Sequence, residues 1–99
     1  MKLLEKYQTE IDKMCRLYNV NQLFAFGSVL TDNFNDSSDV DLIVNFNIIK
    51  IEDYASNYYN FKYSLESILQ RPVDLLESKA LKNPYFIKSV DNQKQLVYG

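Results

Sequence analysis

Gly27-Ser28, ten intervening residues, then Asp39-Val40-Asp41 is the pattern that most constrains what this chain can fold into. The chain has two glycines, and the other is Gly99 at the last position, so the only interior glycine stands directly before Ser28. Gly27 ends an apolar run, Leu23-Phe24-Ala25-Phe26, that reads as a buried strand. Glycine there lets the backbone turn sharply and come close to a ligand. A helical turn starting at Ser28 would point its free N–H groups outward, where they favour phosphate oxygens. The Ser28 hydroxyl adds a donor to the same place. The other half is a predicted strand from Asp39 to Phe46, with Val40, Leu42, Val44 and Phe46 on one face and Asp39 and Asp41 on the other. Side chains two apart on a strand are roughly 6.5–7 Å apart, close enough for both carboxylates to converge on magnesium. Paired metals roughly 3.5–4 Å apart are the usual arrangement for in-line phosphoryl displacement.

A third carboxylate completes such a site, and Asp74 is the candidate. It lies in Arg71-Pro72-Val73-Asp74-Leu75-Leu76, a short apolar run opened by proline that reads as a strand. Asp74 then faces away from Val73 and Leu75. A carboxylate amid hydrophobic strand residues is costly unless paired, hydrogen-bonded or bound to metal. The competing structural reading is a tight turn, aspartates that cap a strand, and a solvent-facing Asp74 on an edge strand. The spacing of the whole constellation, with one half ending a strand and the other starting one, favours the metal and phosphate reading.

These residues resemble the nucleotidyltransferases that share the DNA polymerase β catalytic core. In length and layout the chain is similar to the minimal MNT-type proteins, often the antitoxins of HEPN–MNT toxin–antitoxin pairs. The matching pieces are Phe26-Gly27-Ser28, Ser38-Asp39-Val40-Asp41-Leu42-Ile43-Val44, Val73-Asp74-Leu75 and the tail from Ala80 to Tyr98. The resemblance implies nucleotide-binding roles for Gly27 and Ser28, and catalytic, metal-binding roles for Asp39, Asp41 and Asp74. It further implies two Mg²⁺ ions, with Mn²⁺ as an alternative, and ATP as substrate. The partner it implies is a HEPN-type toxin, modified on a tyrosine. One departure stands out. Many MNT-type proteins follow the serine with arginine and a second glycine, whereas here the segment is Val29-Leu30-Thr31-Asp32-Asn33 and no cation lies between Ser28 and Asp41. A triphosphate loses a bidentate guanidinium contact there.

Composition narrows the alternatives. Ninety-nine residues suit one domain, here taken as a single nucleotidyltransferase domain over 1–99. A single cysteine, Cys15, excludes an internal disulfide and fits a cytoplasmic protein, and the absence of histidine argues against a zinc site or a histidine-based triad. No apolar stretch approaches a membrane span or a signal-peptide core. A net charge of −2 and a pI near 5.0 argue against direct nucleic-acid binding, which needs a basic face.

Periodicity predicts a first helix over Lys2 to Tyr18, with Leu4, Tyr7, Ile11, Met14 and Tyr18 as its apolar stripe. Cys15 borders that stripe and reads as core. A second helix is expected over about 51–70, with Ile51, Tyr54, Tyr58, Phe61, Leu65 and Ile68 stepping by three and four. Asn83-Pro84 marks a third helix start, with Asn as cap and Pro at the first helical position. Leu96-Val97-Tyr98 reads as an apolar end that docks on the body. Strands at Leu23 and at Asp39 are too close in sequence for an ordinary crossover helix and are therefore antiparallel. The expected fold is α+β, a small mixed β-sheet with helices on one face, like the polymerase β core. Tyr59 and Tyr63, off the main stripe of the second helix, are candidates for a protein-binding face.

The leading functional expectation is metal-dependent transfer of AMP from ATP to a hydroxyl acceptor, the partner's tyrosine by resemblance. Two alternatives stand beside it. One is a catalytically weak or inert antitoxin that neutralises its partner by binding. The other is a small-molecule, antibiotic-type nucleotidyltransferase, which would need a homodimer or partner to complete its pocket.

Overall fold

The computed structural model describes residues 2–99. The elements are helices α1 (Lys2–Lys6) and α2 (Gln8–Leu17), strands β1 (Val20–Phe26) and β2 (Val40–Phe46), helix α3 (Ile51–Leu69), strand β3 (Val73–Glu77), helix α4 (Pro84–Gln93) and strand β4 (Gln95–Tyr98). Short 3-10 turns follow β1 (Gly27–Leu30) and β3 (Ser78–Ala80). The four strands form one mixed sheet in the order β3-β2-β1-β4. β1 runs antiparallel to β2, as the short connection between them requires, and also antiparallel to β4. β2 and β3 run parallel, joined by α3 as the crossover helix.

The first helix departs from expectation at Tyr7. There the backbone leaves helical geometry (φ −109°, ψ 19°) and the Tyr7 N–H donates to the Leu4 carbonyl at 3.2 Å, a tighter turn than the α-helix makes. The apolar stripe survives the break: Leu4, Ile11 and Cys15 are buried, and Tyr7, Met14 and Tyr18 pack against the core. Just past the break, the Gln8 side-chain amide donates to the Val97 carbonyl of β4 at 2.9 Å. Burial and the nearby Asp12 push the Cys15 thiol up to about 12, so it stays protonated and inert.

Leu23, Ala25, Leu42, Val44, Val73 and Leu75 face one side of the sheet and meet α1 to α3. Phe61 of α3 is fully buried there, its ring 6.1 Å from Tyr18 and 6.0 Å from Phe46. Ile51, the first member of the α3 stripe, is 90% exposed, because the opening turn of that helix lies outside the packed region. Asn83 caps α4 as expected, its Oδ1 accepting from the N–H groups of Tyr85 (2.9 Å) and Phe86 (3.1 Å). The segment Leu96-Val97-Tyr98 does more than dock, since it adds an edge strand to β1.

Period-two alternation places Phe24, Phe26, Asp41, Ile43 and Asp74 on the opposite side of the sheet. α4 reaches part of this side: Phe86 meets Phe26 edge-on at 6.1 Å, and the Lys94 ammonium sits 4.5 Å from the Phe24 ring. Among the described residues no helix is long and apolar enough to cross a membrane.

Phe61 links α2, α3 and β2, so its loss opens a cavity that these elements cannot all close. Phe61→Ala should cost about 3–5 kcal/mol of unfolding free energy, read by urea denaturation. A loss below about 1 kcal/mol would show that the aromatic cluster does not anchor the helical layer.

Candidate active site

β1 is extended through Phe26 (φ −147°, ψ 175°), and the chain then turns at Gly27, whose φ is +73°. An L side chain seldom adopts that conformation. Space is the second constraint on this position. A Cβ built on Gly27 would lie 2.6 Å from Oδ2 of Asp41, which sits opposite Phe26 in the β1–β2 register. The glycine therefore allows the carboxylate to lie directly against the backbone of the turn. The helical turn expected from Ser28 is a 3-10 turn that starts one residue earlier. Val29 is buried and anchors it, while the N–H and hydroxyl of Thr31 both donate to the Ser28 carbonyl at 2.9 Å. Ser28 itself is partly exposed.

The parallel register sets Asp74 of β3 beside Asp41 of β2, on strands about 4.8 Å apart. Asp39 is exposed and immediately precedes β2, two residues from Asp41. Burial, then Asp74, then Asp39 raise the Asp41 carboxyl above its ordinary value. Among the described residues no ion pair relieves this crowding, since the one present is Lys94–Asp91 at 2.9 Å. Nor, among the described residues, are three Cys, His, Asp or Glu side chains already gathered into a metal-holding cluster. The donor set is nevertheless all carboxylate oxygen, which suits Mg²⁺ or Mn²⁺ rather than zinc. A cation would cancel the repulsion that lifts Asp41.

The sequence contains no cation between Ser28 and Asp41, but the fold brings one to that loop from elsewhere. Arg71, just before β3, donates from Nη1 to the carbonyls of Asn35 (2.9 Å) and Ser38 (3.2 Å), and its guanidinium lies 4.6 Å from the Phe34 ring centroid. The Asn35 side chain in turn accepts from the Ser37 N–H at 2.9 Å and the Ser37 hydroxyl at 2.6 Å. Arg71 was not singled out from sequence, because its partners are backbone carbonyls more than 30 positions away.

At the free edge of β3, the Tyr58 hydroxyl donates to the Leu75 carbonyl and the Tyr54 hydroxyl to the Glu77 carboxylate. Burial, then that hydrogen bond, raise the Tyr54 hydroxyl well above the usual tyrosine range. Tyr59 and Tyr63 are 50% and 58% exposed, with rings stacked 6.0 Å apart. That exposure agrees with their place off the buried stripe.

A family model for nucleotidyltransferase domains matches residues 9–97. A Methanocaldococcus jannaschii protein named "Putative protein adenylyltransferase MJ1379" is 33% identical over 81 residues, covering 82% of this chain and 78% of that protein. A second protein of the same organism, "Putative protein adenylyltransferase MJ0128", is 32% identical over 81 residues, with the same coverage of each chain. Among solved structures, one described as a "putative minimal nucleotidyltransferase" superposes with a TM-score of 0.78 at 22% identity, covering 95% of this chain and 92% of the other. Another, a tri-AMPylated Shewanella oneidensis HEPN toxin in complex with MNT antitoxin, gives a TM-score of 0.66 at 18% identity, covering 97% and 72%. At these identities the structural likeness is one of fold.

Two outcomes follow from the site geometry. Gly27→Ala should destabilise the protein by more than about 2 kcal/mol, against about 1–2 kcal/mol from the left-handed backbone alone. In an Asp41→Ala background the cost should fall to that backbone share, and equal costs in both backgrounds would show that the carboxylate does not press on the turn. The second outcome concerns pH. A carboxyl raised on folding adds no penalty when protonated in both states, and its penalty grows as pH rises from the unfolded toward the folded value. Metal-free Asp41→Asn should therefore melt above wild type at pH 7, with the gap closing as pH falls below the carboxylate range.

Proposed function

The chain belongs to the nucleotidyltransferase domain family, and from that premise we propose that residues 1–99 act as one domain that transfers AMP from ATP to a tyrosine hydroxyl of a HEPN-type partner, as an antitoxin. The observation that carries this reading is the meeting of the Gly27 turn with the Asp41 carboxylate, beside Asp74 and near Asp39. The relatives named as protein adenylyltransferases support AMP as the transferred group and protein as the acceptor. Structural neighbours that include a toxin–antitoxin complex with AMP-PNP, and the tri-AMPylated HEPN toxin bound to its MNT antitoxin, support ATP and this class of partner. ATP as substrate also fits a cytoplasmic setting.

In this reading Gly27 and Ser28 hold the triphosphate, through the backbone of the turn and the Ser28 hydroxyl. Asp39 and Asp41 hold two Mg²⁺ ions with Asp74 as the third ligand, and Mn²⁺ can replace them. The bound ions supply charge neutralisation to the triphosphate and to the leaving group. The acceptor oxygen attacks the α-phosphorus in line, the bond from that phosphorus to the bridging oxygen breaks, and pyrophosphate leaves with its electron pair. Asp74, the most exposed position of the set on a strand, takes the acceptor's proton. Tyr59 and Tyr63 offer an exposed aromatic surface for the partner.

The absence of a cationic side chain in the segment from Ser28 to Asp41 favours a second reading, in which the protein neutralises its partner by occlusion alone. One experiment separates the two. With the partner, ATP and Mg²⁺ supplied, wild type should add AMP to a partner tyrosine, seen as a mass increase of the intact partner. Asp74→Asn should slow that transfer about 10²-fold or more while still forming the complex. An unmodified partner that both proteins neutralise equally would establish occlusion in place of catalysis.

A further inference from the structure

The loop from Thr31 to Asp39 joins the Gly27 turn to the strand that carries Asp41, and it ends on Asp39 itself. Its sequence is polar and has no periodicity, so local preference does little to fix it. Its own hydrogen bonds are short-range: Asn35 Oδ1 accepts from Ser37, and the Asn35 N–H donates to the Ser38 hydroxyl at 3.1 Å. These close the loop on itself without tying it to the sheet. Arg71 supplies that tie. One guanidinium nitrogen spans the carbonyls of Asn35 and Ser38, and the guanidinium carbon lies over the Phe34 ring, 4.6 Å from its centroid. Arg71 is in turn fixed by the turn that leads into β3. The Pro72 carbonyl next to it accepts from the Val40 N–H at 3.1 Å, and the Val73 N–H donates to the Glu66 carboxylate at 2.9 Å. Arg71 Nε is buried and has no hydrogen-bond partner, so the side chain is held through Nη1 and its contact with Phe34.

We propose that Arg71 is the positioning residue for Asp39: it locks the Asn35–Ser38 segment to the entrance of β3, fixing Asp39 relative to Asp41 and Asp74. This rests on the reading of the three aspartates as a metal site. The contact joins the lead-ins of the two strands that carry Asp41 and Asp74, and Asp39 lies at the end of one of those lead-ins. A flexible loop would let Asp39 swing away from its two like-charged neighbours, which repel it. Lysine cannot replace Arg71, because an ammonium is a compact point charge without the planar face and the rigid set of donors.

The test uses the whole chain as Arg71→Ala and Arg71→Lys, with two measurements on each. Amide hydrogen exchange over residues 34–39 should quicken about tenfold or more in both variants, while the sheet core exchanges as in wild type. The Mn²⁺ concentration for half-saturation, followed by water-proton relaxation, should rise about tenfold, in the range that loss of an outer-shell partner produces. A lower melting temperature with unchanged loop exchange and unchanged Mn²⁺ half-saturation would overturn the proposal, as would full retention of both by Arg71→Lys. If Arg71→Ala does not fold, Arg71→Lys decides. Should wild type itself bind no Mn²⁺, the metal reading fails, and loop exchange alone still decides whether Arg71 holds the segment.

Discussion

The carboxylate of Asp41 lies against the backbone of Gly27, and the arrangement of the site depends on that contact. It exists because β1 and β2 pair so that Asp41 stands opposite Phe26, the last residue before the turn. A methyl group at position 27 would meet Oδ2 at 2.6 Å. Glycine here serves the positive φ of the turn and the close approach of a charged group together. Any larger residue must displace either the turn or the aspartate. Two halves of the site that are distant in sequence thus meet at one atom-sized gap.

The same closeness has an electrostatic cost. Asp41 is partly buried, adjoins Asp74 across the parallel register and has Asp39 two residues away, and together these raise its carboxyl above the ordinary value. Such crowding is destabilising by itself, and no lysine or arginine among the described residues pairs with these carboxylates. The sheet is stabilised elsewhere, through Phe61, Leu65 and the buried residues of its other face. Separating the two faces lets one side of the sheet bear unfavourable charge while the other supplies the hydrophobic stability. Arg71 does not offset that charge by pairing with it, because its hydrogen bonds go to the loop carbonyls of Asn35 and Ser38.

Local patterns revealed much of this. The apolar run ending at Gly27, the alternation over Val40 to Phe46 and the Asn83-Pro84 cap each depend on near neighbours, and all three elements are present. Features set by pairing between distant segments were less legible. The parallel β2–β3 register that brings Asp74 to Asp41 depends on how α3 crosses the sheet. The pairing of Leu96 to Tyr98 with β1, the 2.6 Å gap at Gly27 and the grip of Arg71 on Asn35 and Ser38 are likewise tertiary. The break at Tyr7 leaves no mark in the sequence because the apolar stripe runs through it unbroken. Ile51 fits the stripe of α3 by spacing yet is exposed, since periodicity assigns a face of the helix and not how far the packed region extends along it.

Asp41 is held against repulsion that either a proton or a cation would relieve. Titrating the Asp41 side-chain carboxyl by carbon NMR, with and without Mg²⁺ and a non-hydrolysable ATP analogue, tests this directly. The expected result is a pKa above the ordinary aspartate value in the metal-free protein, and a clear fall when Mg²⁺ and nucleotide are present together. An ordinary value in the metal-free protein that does not move on adding both would contradict it.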